Sequence, residues 1–267
     1  MRSRGRVSFG SVLLALAVVA GCSNKDGPTP PCVVSATGSS HGQMLPQGQM
    51  TLKCTNSYGS VTVLGGDVKD GPRIDWYLAK TAWASSLRDA QGGLEKIFPD
   101  TTRVGDTLKF DAVTATMCSP DVGLTFNPFP PGMNFVADST VGRVEVSYLL
   151  GASISLLRHN GPFYVRAIEG AIFIEAAVPD SGRATTGKGN IELHLPASSS
   201  VALFVMTERG AITVIGLPLM GRVDSTGFLS GTLGAGTDTI RLETKDGDIT
   251  LKALPSVEMR AARPRAP

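Results

Sequence analysis

Aromatic side chains are scarce in this 267-residue sequence, with two Trp, four Tyr and ten Phe, and no basic stripe is interleaved with them. The electrostatic and stacking footprint of a nucleic-acid binder is therefore missing. Histidine is nearly absent: His41, His159 and His194 share no metal-ligand spacing, and none of the four Cys sits in a CxxC pair. Those two absences remove a zinc site of the usual kind. No apolar run reaches the roughly 20 residues that a membrane-spanning helix requires.

The apolar run that exists is short and lies at the start. Arg2, Arg4 and Arg6 precede Val12 to Ala20, the charged-then-apolar order of a secretory signal peptide over residues 1–21. Val19-Ala20-Gly21-Cys22 resembles the lipobox of bacterial lipoproteins. That resemblance implies that the Cys22 sulfur carries fatty chains, palmitate among them, and becomes the new amino terminus on a membrane. Ser23, rather than Asp, implies an outer-membrane destination, with the chain facing periplasm or cell surface. Residues 22–50, opening with the Pro-rich SNKDGPTPP, read as the lipidated Cys and a flexible tether. Removal of three Arg from 25 basic residues leaves 22 against 23 acidic, so the exported part is close to neutral. Cys32, Cys54 and Cys118 remain for one disulfide at most, and spacing does not choose the pair.

What is abundant is glycine, 31 residues, recurring before short alternating apolar runs. The copies begin at Gly142, Gly151, Gly161, Gly170, Gly189, Gly210 and Gly247, and most fit G-x-[V/I]-x-[V/I/L]. Alternation puts Val144/Val146, Ile154/Leu156, Ile172/Ile174, Ile191/Leu193, Ile212/Val214 and Ile249/Leu251 on one side of their strands. Glycine supplies the turn before each strand. Steps between copies are 9, 10, 9, 19, 21 and 37 residues, close to multiples of ten. The fold class expected is mainly all-β: a β-solenoid or β-helix-like repeat domain over 51–254, with an antiparallel β-sandwich as the alternative.

Within that domain, residues 51–118 read as strands plus one amphipathic helix near the N-terminal end. Strands are expected at 61–64 and 75–78. Trp83, Leu87, Ala90, Leu94 and Ile97 place the helix over 82–98, and Gly105-Asp106 centres a hairpin over 101–113. Residues 119–140 read as a Pro-rich loop, 141–254 as the Gly-x-Ile-x-Val repeats, and 255–267 as a disordered tail.

Thr185-Thr-Gly-Lys-Gly-Asn-Ile-Glu-Leu-His-Leu-Pro196, Thr207-Glu-Arg-Gly-Ala-Ile-Thr-Val214, Gly231-Thr-Leu-Gly-Ala-Gly236 and Leu242-Glu-Thr-Lys-Asp-Gly-Asp-Ile-Thr-Leu251, in this order, resemble the bacterial putative-adhesin family of β-strand-repeat proteins. The likeness extends from about 55 to 253. It implies an envelope location and a scaffold or interaction role, and brings no catalytic residues.

Three motifs point elsewhere and fail on context. Gly182 to Gly189 matches a phosphate loop but lacks the hydroxyl after Lys188 and leads into a strand. Gly38-Ser-Ser-His-Gly42 matches a nucleophile elbow around Ser40 without a helix behind it. Gly234 to Ile240 resembles a single calcium nonapeptide, which cannot supply six oxygens. Catalytic residues, cofactor and metal are accordingly expected to be none. Tyr164, Phe173 and Phe204 fall on outward positions and form a candidate binding face for sugar rings or a protein partner. The expected role is a non-enzymatic lipid-anchored envelope protein, its partners the membrane and an envelope protein or polysaccharide. The rivals are a carbohydrate-active enzyme on a β-helix, which needs converging carboxylates, and a ligand-sensing module or small-ligand carrier, the last needing a cavity.

Overall fold

Alternation of branched aliphatics with polar residues dominates the chain, and the computed structural model is accordingly built of strands. It describes residues 32–48, 50–56, 59–66, 73–113 and 120–255. In order these form β1 (Val34–Met44), β2 (Thr51–Thr55), β3 (Val61–Gly65), β4 (Ile74–Ala84), α1 (Leu87–Glu95), β5 (Phe98–Val104), β6 (Thr107–Val113), β7 (Asp121–Phe129), β8 (Asn134–Asp138) and β9 (Val144–Leu150). There follow β10 (Ile154–Glu169), β11 (Ile172–Lys188), β12 (Ile191–Leu195), β13 (Val201–Arg209), β14 (Ile212–Ile215), β15 (Met220–Ser225), β16 (Phe228–Leu233), β17 (Asp238–Asp246) and β18 (Ile249–Ala253).

Pairing arranges them in two runs of one mixed sheet. The first run is β5-β6-β2-β8-β10-β11-β12-β18-β14, parallel except for β5-β6. The second is β1-β4-β7-β3-β9-β10-β11-β17-β13-β16-β15, parallel from β7 to β13 and antiparallel at both ends. The long strands β10 and β11 belong to both: Ile154 pairs with Phe135 in the first run, and Phe163 with Val144 in the second.

Spatial order departs from chain order toward both ends, and at the N-terminal side β2 lies between β6 and β8 and β3 between β7 and β9. β17 lies between β11 and β13, and β18 between β12 and β14, so the last strand pair slots into the interior of the stack. The 37-residue step before Gly247 is thus an excursion through the β15-β16 hairpin and back.

The registers line Ile154, Ile172, Ile191, Ile249 and Ile212 into one column; the first four are buried, and Ile212, on the end strand, is half-buried. The few rings concentrate at the other end, where Trp76, Phe110, Phe126, Phe135 and Phe129 meet successively at centroid distances of 5.4, 5.2, 6.4 and 6.0 Å.

Glycines turn one corner between the runs. Gly170, Gly189, Gly247 and Gly210 stack in that order, and a Cβ on each of the last three would strike the carbonyl oxygen of the glycine before it. Their φ values, 145° at Gly189 and 154° at Gly247, are ones that L side chains rarely adopt. Beside them, buried hydroxyls bind successive layers: Thr186 donates to Gly170 O at 3.1 Å, Thr244 to Gly189 O at 3.0 Å and Thr207 to Gly247 O at 2.9 Å.

Several boundaries differ from expectation. The tether read over 22–50 contains β1, which pairs with β4 along its whole length. The helix is shorter than 82–98, because Ala82 and Ala84 still belong to β4 and Ser86 caps α1 by accepting from Asp89 N. The Pro-rich loop contains β7, whose Val122, Leu124 and Phe126 are buried, and β8; Pro128 is accommodated where the β3-β7 register shifts. The hairpin turning at Gly105-Asp106 is present as β5-β6. The expected signal peptide, Cys22, Cys118 and most of the 255–267 tail lie outside the described residues. Among those described, no helix is long and apolar enough to cross a membrane.

Candidate functional site

Alternation in the second run turns one set of side chains outward in continuous rows. One row passes from Tyr77 through Thr125, Thr62, Glu145, Tyr164, Arg183 and Arg241 to Phe204. It crosses eight strands, about 34 Å at the usual strand separation. A neighbouring row runs Arg166, Thr185, Glu243, Met206.

Both acids in these rows are held by arginine: Arg143 donates to Glu145 at 3.1 Å and Arg183 to Glu243 at 2.9 Å. Arg166 and Arg241 instead lie over rings, at 5.0 Å from the Tyr148 centroid and 5.5 Å from that of Phe204. Tyr77, Tyr148 and Phe204 are 47, 54 and 41% exposed.

Tyr164 and Phe204 therefore share a face, three strands apart. Phe173 does not join them. It lies on the first run, half-buried, its ring 4.9 Å from that of His194, which bonds Glu192 at 2.6 Å. Sequence reasoning missed Tyr77, Tyr148, Arg166 and Arg241, because a row across strands becomes visible only when the register is known.

The most perturbed ionisable groups lie elsewhere. Asp138, at the end of β8, is paired by Lys53 at 2.6 Å and by the Arg158 guanidinium, and Ser139 donates to it at 3.1 Å. Burial alone would raise its pKa; the hydrogen bonds from Lys53, Arg158 and Ser139 outweigh it and hold the carboxyl below its ordinary range. His159, fully buried, is pushed down by burial and stays neutral. Its Nε2 faces the Pro162 carbonyl at 3.3 Å and must carry the proton, so Nδ1 accepts from the Thr140 hydroxyl at 2.9 Å. Lys53 thus ties β2 to β8, Arg158 ties β10 to β8, and His159 ties β10 to the segment that follows β8.

Cys32 is disulfide-bonded, whereas Cys54 is a free thiol, buried, its pKa raised by burial and then by nearby Asp111. Among the described residues no three His, Cys, Asp or Glu gather as a metal site would require. Ser40 lies within β1 opposite Leu78, and Gly182 to Lys188 lies within β11, so neither motif has the strand-to-helix turn its chemistry needs. An open depression of about 410 Å³ on β1, β4 and β7 is lined by Thr37, Ser39, Tyr77, Ala79, Asp121 and Gly123 among others, adjoining the start of the long row.

No protein-family model matches the chain, and no curated protein matches it. Among solved structures, it is similar to a putative cell adhesion protein from Clostridium sporogenes at 12% identity and a TM-score of 0.29, covering 82% of this chain and 100% of that one. It is also similar to a putative adhesin from Bacteroides fragilis at 11% identity and 0.29, covering 81 and 97%, and to one from Parabacteroides merdae at 14% and 0.25, covering 81 and 96%. Likeness at this level carries no activity, ligand or partner across.

Proposed function

We propose that this chain is a lipid-anchored bacterial envelope protein whose β-solenoid scaffold binds rather than cuts, in adhesion or partner interaction. The observation that carries the reading is the stack itself. Gly151, Gly170 and Gly189 follow one another at 19 residues, each closing one turn of chain made of a first-run strand and a second-run strand. A 19-residue turn with parallel register is what a solenoid is made of, and the sandwich reading leaves it unexplained. Such a stack presents a long, stiff, outward sheet face to a partner and holds it there at no ordering cost.

Anchoring rests on the lipobox-like Val19-Ala20-Gly21-Cys22, and the polar stretch after it would let the scaffold stand off the bilayer. Labelling cells with a palmitate analogue tests the anchor: the full chain is labelled and a Cys22→Ala variant is not. Label persisting in the variant would contradict anchoring. Saturable binding of the exported part to envelope fragments tests the role, and failure to bind any fragment would contradict it.

A further inference from the structure

We propose that the outward rows of the second run, from Tyr164 to Phe204 with Arg166 alongside, bind an extended acidic polysaccharide, a chain of uronate sugars lying across the strands. This deepens the adhesion reading above and rests on it.

Charge sets the class of ligand. Arg143, Arg166, Arg183 and Arg241 face two acids, Glu145 and Glu243, and those acids are already bound by Arg143 and Arg183. Two guanidiniums, Arg166 and Arg241, are left over, and among the described residues no ion pair engages them. Each lies over a ring, and an arginine guanidinium can meet a carboxylate in two-point contact. They sit two strands apart and two residues out of step, on the order of 12 Å from each other, so both can engage one extended chain but not one small anion.

Shape sets its form. Tyr164 and Phe204 stand at the two ends of a line whose middle is Arg183 and Arg241, and an aromatic face stacks on the C–H side of a sugar ring. These four positions follow one another at strand spacing, about 4.8 Å, along neighbouring paired strands. The line continues over Glu145, which Arg143 neutralises, then Thr62 and Thr125 to Tyr77 and the depression beside it, leaving room for a longer chain.

The test is affinity electrophoresis of the exported protein, residues 22–267, in gels cast with polygalacturonate, neutral dextran or polyglutamate. Retardation by polygalacturonate, weakening with salt, and none by dextran is the expected result. Arg166→Ala combined with Arg241→Ala weakens retardation at least about ten-fold, two charge-assisted contacts being lost. Tyr164→Ala weakens it several-fold without changing the salt dependence, and Phe204→Ala, which also removes the ring under Arg241, weakens it several-fold with a shallower salt dependence. Arg88→Ala with Arg103→Ala, remote arginines, matches the change in net charge and leaves binding intact. Every variant should unfold at the wild-type midpoint. No retardation by polygalacturonate, equal retardation of the double variant, equal loss in the remote control, or preference for polyglutamate, which would mark an acidic polypeptide site, overturns the proposal. If the double variant still binds envelope fragments like the wild type, the adhesion reading stands and this face is not its site.

Discussion

Thr186, Thr244 and Thr207 perform one task at three heights of the stack, each donating its hydroxyl to the glycine carbonyl of the neighbouring turn. Thr244→Val keeps the shape and deletes the donor, leaving Gly189 O short of a partner in a part-buried place. A loss of about 1 kcal/mol in denaturant unfolding is expected. The glycines are less forgiving. Gly247→Ala meets the Gly189 carbonyl and an unfavourable φ together, so a cost above about 2 kcal/mol is expected. Gly92→Ala, with open space in α1, should instead gain about 0.5–1 kcal/mol. Equal responses of the two glycines would contradict the corner ladder. Asp138 adds a pH signature. Its carboxyl is more acidic folded than unfolded, so its stabilisation is complete above the ordinary carboxylate pKa and is lost as pH falls through the folded value. Asp138→Asn should therefore cost about 2 kcal/mol at pH 7, and the gap to wild type should close progressively in acid.

The elements were legible to different depths, for reasons that lie in their residues. Strands of the repeat section are plain, since each offers two aliphatics at alternate positions after a glycine. β1 is obscured because only Ala36 and Met44 are buried apolar residues in a Ser-, Gly- and His-bearing stretch. β7 was hidden behind its prolines, although Val122, Leu124 and Phe126 alternate ahead of them. Trp83 fits helical spacing with Leu87 but sits in β4, whose pairing to β1 outweighs local periodicity. The inserted order of β17 and β18 was beyond reach. Their Thr244-x-x-Gly247-x-Ile249 is the same local pattern as Thr186-x-x-Gly189-x-Ile191 and Thr207-x-x-Gly210-x-Ile212, so each fits any slot by local criteria. The row joining Tyr164 to Phe204 passes through β17 and was hidden with it. Chains ending at Leu233 should leave β13 and β11 without their shared neighbour. Loss of the cooperative unfolding transition, followed by circular dichroism, is the expected outcome; a wild-type transition would contradict the insertion.

As a whole the molecule has a packed aromatic cluster toward one end and a glycine-cornered, mainly parallel stack beyond it. The stack is stiff because backbone ladders tie its layers, and an aliphatic column and, at the glycine corner, three threonine hydroxyls join them in the same register. Stiffness of that kind serves a surface that must present charges and rings in fixed relative places, which is the basis for reading the chain as a binding scaffold. The most direct measurement follows one sample of the exported protein with purified envelope polysaccharide, recording the bound fraction and the concentration of reducing ends over time. Saturable binding with reducing ends that stay at their starting level is the expected result. Reducing ends that rise with protein concentration would show bond cleavage and contradict it.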